Sequence, residues 1–217
     1  MPAEGATTSL ALPRRYNAAN HFIDWHLDEG RADKIALIDD HGRYSYADLA
    51  RRVNQAGNLL KAQGLQMEQR VLLCLLDGVD FPALFWGAIK IGAVPVPVNT
   101  LLTASDYDYL LRDSRARVLV VSDALVEKFR PILGGQPFLE KILVSGMPPV
   151  GTQSLAALME AAGTQLETAP TTPDDGPADL LHDGGAATRA IVAIEKQVGA
   201  SPARAGEVLI YPEYMDV

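Results

Sequence analysis

The sequence predicts an α/β fold: a mostly parallel sheet with flanking helices in βα units, preceded by a small N-terminal hairpin. Three observations carry that prediction. Between residues 71 and 144, strand-like and helix-like stretches alternate at short intervals, which is the rhythm of βαβ units. The runs VLLCLL (71–76) and VLVV (118–121) are apolar at every position, as strands are when helices cover both faces of their sheet. In FWGAIKIGAVPVPVN (85–99), an apolar half at helical spacing passes through Gly92 directly into an alternating Val/Pro half. A glycine there lets the chain leave a helix through a left-handed conformation.

The elements follow in order. Residues 1–18 show no periodicity and read as a flexible arm. Residues 20–29 read as a short helix with Phe22, Ile23, Trp25 and His26 as its bulk. Residues 34–39 form a strand, Asp40 to Arg43 a turn, and Tyr44 to Tyr46 the start of a return strand. Ser45 and Asp48 have capping-box spacing. The helix they open carries Leu49, Val53, Ala56, Leu59 and Leu60 on one stripe, ends at Gly64, and turns Arg51, Arg52, Asn54 and Lys61 to solvent. A buried strand (71–76), a helix (80–91) and a strand (94–98) come next. Pro95 and Pro97 lack N–H groups on the same side, so this last strand is short or lies at a sheet edge. Thr103 and Asp106 suggest a second capping box, opening a helix that ends near Arg112. A strand (117–121), a helix (124–133), a strand (141–144) and a helix capped by Ser154 (155–162) complete the pattern. The expected division is an arm (1–18), an α/β subdomain (19–163), a polar Pro-rich linker (164–185) and an unassigned helix–strand tail (186–217).

Composition narrows the function classes. The 217 residues are 48% hydrophobic and 21% charged, an ordinary globular balance. A formal net charge of −8 implies no basic face, which argues against nucleic acid and anionic membrane as partners. No apolar run approaches the ~20 residues of a membrane helix. The N-terminus lacks the charged-then-apolar order of a signal peptide. Cys74 is the single cysteine and sits within an apolar run, so it reads as a small core residue. A cytoplasmic protein is the expectation.

Individual residues with chemical potential have plainer readings. His21 and His26 are five apart, poor spacing for one helical face, and read as core or surface histidines rather than metal ligands. His41 falls in a turn and His182 in a loop. No G-x-S-x-G nucleophile elbow occurs. Asp106 is explained by its cap and Asp108 by the helix dipole. Phe85 and Trp86 read as core. Loops 77–80, 99–103 and 122–124 follow strands, where parallel sheets bind ligands, yet none is a glycine-rich cradle. The one anion-site candidate is Gly184, Gly185, Thr188 and Arg189, ahead of the tail helix. It lacks a G-K-[ST] ending, and its competing reading is a simple Gly-Gly turn.

One resemblance spans residues 16–175. NAANHFIDWHLDEGRADKIALID, YSYADL, DGVDFPALFWGAIKIGAVPVPVNTLLTASDYDYLLRDSRARVLVVSD and SDALVEKFRPIL resemble the N-terminal region of AMP-forming acyl-CoA synthetases. The likeness is to benzoate–CoA ligases and their hydroxybenzoate relatives. The segment G-A-[IV]-x-x-G-A-V-P-V-P-x-N is the specific signature. The resemblance implies part of an adenylate-forming enzyme's large N-terminal domain, followed in the family by a small C-terminal lid. It also implies a reaction in which ATP, with Mg, and an aromatic carboxylate give an acyl-adenylate and pyrophosphate, and CoA then displaces AMP. Adenylation serves that chemistry because a carboxylate is a poor electrophile and a mixed anhydride carries a good leaving group. The family holds the ATP phosphates with a loop of the form S-S-G-[ST]-T-G-x-P-K-G. It is expected soon after TTPDDGPA, where this sequence reads DLLHDGGAATRAIVAIEKQ. No catalytic or ATP-binding residue of the family therefore maps onto this chain, and it is expected to be catalytically incomplete. The other expectation is a non-catalytic scaffold or fusion module with a foreign tail, in which a protein partner covers the surface left by missing subdomains.

Overall fold

Residues 13–172 are described by the computed structural model, and they form two sheets with helices around them. One turn of π-helix, Asn20–Asp24, runs into the short helix α1 (Trp25–Asp28). Strands β1 (Ile35–Asp39) and β2 (Gly42–Ser45) make the antiparallel hairpin. Asp39 fixes its turn, its Oδ1 accepting from the N–H groups of His41 and Gly42 at 2.8 and 3.0 Å. Helix α2 (Tyr46–Ala62) opens on the expected capping box. Ser45 Oγ accepts from Asp48 N at 3.1 Å, and Asp48 Oδ2 accepts from Ser45 N at 3.2 Å. Gly64 follows its end at φ +90°.

The main sheet is parallel throughout. Strands β3 (Arg70–Cys74), β4 (Val94–Pro97), β5 (Val118–Ser122), β6 (Lys141–Ser145) and β7 (Gln153–Ser154) lie in the order β4-β3-β5-β6-β7. Helices α3 (Asp80–Lys90), α4 (Ala104–Ser114), α5 (Val126–Phe129) and α6 (Leu155–Ala161) connect or flank them. The Val/Pro strand is an edge, as its prolines require. Val94 N and Val98 N donate to Gln69 O and Leu73 O of the β3 side at 2.8 and 3.0 Å. The alternate positions, Pro95 and Pro97, then face the open side, where a missing N–H breaks no ladder. Gly92, at φ +77°, turns the chain from α3 into β4.

Alternation along the central strands builds a core on each face of the sheet. Val71, Leu73, Val118, Val120 and Leu143 pack with α2, α3 and α6. Leu72, Cys74, Leu119, Val121 and Val144 pack with Tyr107, Leu111 and Phe129 on the other side. Each fully buried large side chain contributes ~1.5–3 kcal/mol. A third core joins Ile23, Ala36, Leu37, Leu49, Ala50, Val53 and Val79 beneath the hairpin.

Three expectations are corrected, and one strand, β7, was not foreseen. The helix expected over 124–133 is a 3-10 turn, Asp123–Leu125, followed by α5 alone. Pro131 has no N–H to continue it, and its ring would crowd the carbonyl four residues back. The strand expected over 71–76 stops at Cys74, because Leu76 N turns to donate to Ser122 Oγ at 2.9 Å. Strand β7 is two residues long, too short for any periodicity. Arg52 and Asn54 are half-buried rather than solvent-facing: Arg52 lies against Tyr44 and Asp80, and the chain after α6 returns across α2 beside Asn54. Asn54 Nδ2 donates to Thr164 O at 2.9 Å, and Asn58 Nδ2 to Gly163 O and Gln165 O at 2.6 and 2.8 Å. Residues 164–172 then continue past α3, where Ala169 N donates to Lys90 O at 2.8 Å. Tyr16 N donates to Thr171 O at 2.9 Å, and Thr171 Oγ1 donates back to Tyr16 O at 2.8 Å. The remainder of the expected linker and the 186–217 tail lie outside the described residues.

Candidate functional site at the strand carboxyl ends

A parallel sheet sends all its strands toward one edge, and open α/β sheets bind ligands beyond that edge. The loops after β3, β4, β5 and β6 meet there, including the predicted loops 77–80, 99–103 and 122–124. Their polar groups are engaged in holding the loops. Asp80, in the first turn of α3, accepts from Ser145 Oγ at 2.7 Å, tying β6 to α3. Asp39 Oδ2 accepts from Val79 N at 3.0 Å, tying the hairpin to the same loop. Asp123 Oδ2 accepts from Met147 N at 2.8 Å, and a side chain at Gly146 would collide with that carboxylate. Asn99 turns its own loop, accepting from Leu101 N at 2.9 Å.

Two cations stand near this edge. Lys128 Nζ donates to Thr100 O at 2.8 Å. Arg52 lies 3.8 Å from Asp80, with its guanidinium 5.2 Å from the centre of the Tyr44 ring, and its Nε has no hydrogen-bond partner. Against them stand the carboxylates of Asp77, Asp80 and Asp123. A triphosphate needs convergent N–H donors and positive charge. The described edge offers carboxylates and loops whose polar groups bond one another.

The other sequence candidates are dispersed. His26 is buried, its Nδ1 accepting from Arg31 Nε at 3.2 Å, while His21 is exposed and stacked on Trp25. Among the described residues no group of His, Cys, Asp or Glu could hold a metal ion. Cys74 donates to the Tyr107 hydroxyl at 3.5 Å, and that hydroxyl donates to Asn99 O at 2.8 Å. Burial raises the pKa of both groups, so the thiol is a core residue with little thiolate character. Asp106 is the cap of α4, and its carboxyl is held below the usual range by the Thr103 hydroxyl and N–H. Asp108 pairs with Arg112 at 3.0 Å and accepts from Gln136. Phe85 and Trp86 are half-buried against two different cores. Gly184, Gly185, Thr188 and Arg189 lie outside the described residues. Sequence reasoning missed an open groove of about 550 Å³ at the opposite, amino end of the strands, lined by Leu65, Met67, Ile91 and Ala169. Its walls come from distant segments and share no motif.

Residues 24–181 match the model of the AMP-binding enzyme family. The chain is 52% identical over 168 residues to a benzoate–CoA ligase of Thauera aromatica, covering 77% of this chain and 32% of that protein. It is 43% identical over 162 residues to a 4-hydroxybenzoate–CoA/benzoate–CoA ligase of Rhodopseudomonas palustris, covering 75% and 30%. Among solved structures, an anthranilate CoA ligase in complex with anthranoyl-AMP superposes with a TM-score of 0.73 at 35% identity, covering 76% of this chain and 32% of that one. A benzoate CoA ligase from Burkholderia xenovorans superposes with a TM-score of 0.66 at 36% identity, covering 73% and 31%. The chain thus spans about a third of the length of the curated relatives it matches.

Proposed function

Because the chain belongs to the AMP-binding enzyme family, we propose that it is the N-terminal portion of a benzoate–CoA-ligase-like enzyme. The whole enzyme would convert ATP, an aromatic carboxylate and CoA to aryl-CoA, AMP and pyrophosphate, with Mg. The observation that carries this reading is the 52% identity to the Thauera aromatica benzoate–CoA ligase, sustained over 168 residues. The parallel sheet supports it, since solved aryl-CoA ligase structures superpose on this fold.

On this reading the chain alone does not adenylate. Transfer of AMP to a carboxylate passes through a state in which charge spreads over phosphoryl oxygens, and donors fixed in advance must receive it. The family's S-S-G-[ST]-T-G-x-P-K-G loop has no counterpart in this sequence. The strand-end carboxylates Asp77, Asp80 and Asp123 would repel a triphosphate rather than bind it. The role assigned to residues 13–172 is to frame the site that later segments complete. The same reading sets the chain in the cytoplasm, with the buried Cys74 thiol as support. No helix among the described residues is long and apolar enough to cross a membrane.

Pyrophosphate exchange with ATP, Mg and benzoate tests the reading. The 217-residue chain gives no exchange above background. Exchange that saturates with benzoate would show that the chain holds its own phosphate site.

A further inference from the structure

We propose that the Asp77-Gly78 linkage is a site of covalent self-modification in the folded chain. It isomerises through a cyclic imide to an isoaspartyl linkage, and the change uncouples the hairpin from the loop after β3. The reaction takes only water as its partner and no catalytic residue.

The chemistry sets three conditions. The residue after the aspartate must lack a β-carbon, because its main-chain nitrogen has to close on the side-chain carboxyl carbon. The carboxyl must be free to turn toward that nitrogen. The N–H must stand outside any helix or ladder. Among the described residues Asp77 is the one aspartate followed by glycine, and no asparagine is. The pair lies in an open bend between β3 and α3, with Asp77 exposed. Among the described residues the Asp77 carboxylate has no hydrogen-bond or ion-pair partner, and the Gly78 N–H has no acceptor. The neighbouring aspartates are held instead. Asp39 accepts from Val79 N, Asp80 from Ser145 Oγ, and Asp123 from the N–H groups of Ala124 and Met147. Asp113 precedes a small residue, Ser114, but inside α4.

In the acid form, the Gly78 nitrogen attacks Cγ of Asp77. The N–Cγ bond forms, one Cγ–O bond breaks, and that oxygen leaves as water with the acid proton and the amide proton. Water then adds to the five-membered imide. Opening at Cγ restores Asp77. Opening at the main-chain carbonyl breaks its bond to the Gly78 nitrogen and leaves it as a free carboxylate. The chain then runs through the side-chain methylene. Composition is unchanged, but the main chain gains one carbon, about 1.5 Å of path. The added length falls between two anchors. Leu76 N donates to Ser122 Oγ at 2.9 Å, and Val79 N to Asp39 Oδ2 at 3.0 Å. Val79 follows the altered linkage most closely, so its bond to the hairpin yields first.

Tryptic mapping of the full 217-residue chain, aged at neutral pH both folded and in urea, tests this. Cleavage after Arg70 and Lys90 separates Asp77 from the other Asp-Gly steps of the sequence, at Asp175 and Asp183. A second species of residues 71–90 with unchanged mass is expected, and it accepts methyl groups from an isoaspartyl carboxyl methyltransferase. Backbone fragmentation assigns it to residue 77 rather than Asp80. The folded chain is expected to form it at a rate similar to that in urea. A Cβ at Gly78 would meet only Asp39 Oδ2, at 3.7 Å, an ordinary contact. Gly78→Ala is therefore expected to keep the wild-type thermal midpoint and to isomerise about tenfold more slowly. In the isomerised fraction, hydrogen exchange at Val79 N is expected to be faster. The proposal is overturned if the folded chain forms no such species, or forms it more than about tenfold more slowly than in urea. An unchanged rate in Gly78→Ala overturns it too, as does unaltered exchange at Val79.

Discussion

At the scale of single residues, two polar groups are committed to the fold rather than to chemistry. His26 is buried under Tyr46, with Arg31, His21 and Lys34 as its positive neighbours. Desolvation first, then these charges, lowers its pKa from 6.5 to about 4. The unfolded chain binds the proton more readily, so stability from this group is complete above pH 6.5 and is lost as the pH falls toward 4. The loss amounts to about 2–3 kcal/mol. Chemical denaturation of wild type and His26→Gln across pH 4–7 checks this: the variant loses most of the extra slope, and parallel slopes would contradict the assignment. Lys90 is the other case. Its side chain is 4% exposed, and Nζ reaches both oxygens of Asp24 at 2.8 and 2.7 Å. Removing the carboxylate strands a buried cation, whereas removing the cation leaves a carboxylate that still meets water. Asp24→Ala is therefore expected to lower stability by about 2–3 kcal/mol, and Lys90→Met by distinctly less. Equal losses in urea titrations would mean that the pair acts only through packing.

At the scale of elements, the crossing of α2 and α3 leaves no room for a side chain at Gly87. A Cβ placed on Gly87 would lie 2.8 Å from Ala56 Cβ, 2.8 Å from Gly57 N and 2.9 Å from Val53 O. Two of those atoms are backbone and cannot rotate away. Gly87→Ala should cost about 1–3 kcal/mol by forcing the helices apart, despite the helix propensity that alanine gains. A thermal midpoint at or above wild type would refute that steric account. This contact also shows what sequence conveys and what it does not. VLLCLL and VLVV announced strands because burial on both faces leaves only apolar residues, and Pro95 and Pro97 announced an edge because a missing donor has one tolerable place. Both capping boxes were legible from spacing alone. The small-residue crossing was not, since a glycine inside a helix has no local signature of its partner. The return of residues 163–166 over α2 was equally hidden, because Asn54 and Asn58 bond to carbonyls more than a hundred positions away. At the candidate site, topology alone brought loops 77–80, 99–103 and 122–124 together. Which carboxylate bonds which loop depended on pairs such as Asp80 with Ser145, 65 residues apart.

At the scale of the whole molecule, the question is whether the hairpin side and the main sheet unfold together. Helix α2 is common to both. Its first turns give Leu49, Ala50 and Val53 to the core beneath the hairpin, and its later turns give Ala56, Leu59 and Leu60 to the core of the main sheet. Helix α3 is shared too, with Trp86 on one core and Ala83, Leu84 and Ala88 in the other. The Lys90–Asp24 pair and the donation from Asn17 Nδ2 to Ile89 O at 2.8 Å add polar links between the N-terminal residues and α3. Neither core can lose its packing without freeing a helix that the other needs, which favours a single cooperative transition. The two tryptophans of the chain, Trp25 and Trp86, both belong to the N-terminal side, whereas far-ultraviolet dichroism reports all elements. Urea midpoints by fluorescence and by dichroism are expected to coincide. Fluorescence changing first would mean that the two tryptophans and the hairpin detach while the parallel sheet stays folded, and α2 would then be a hinge rather than a shared wall.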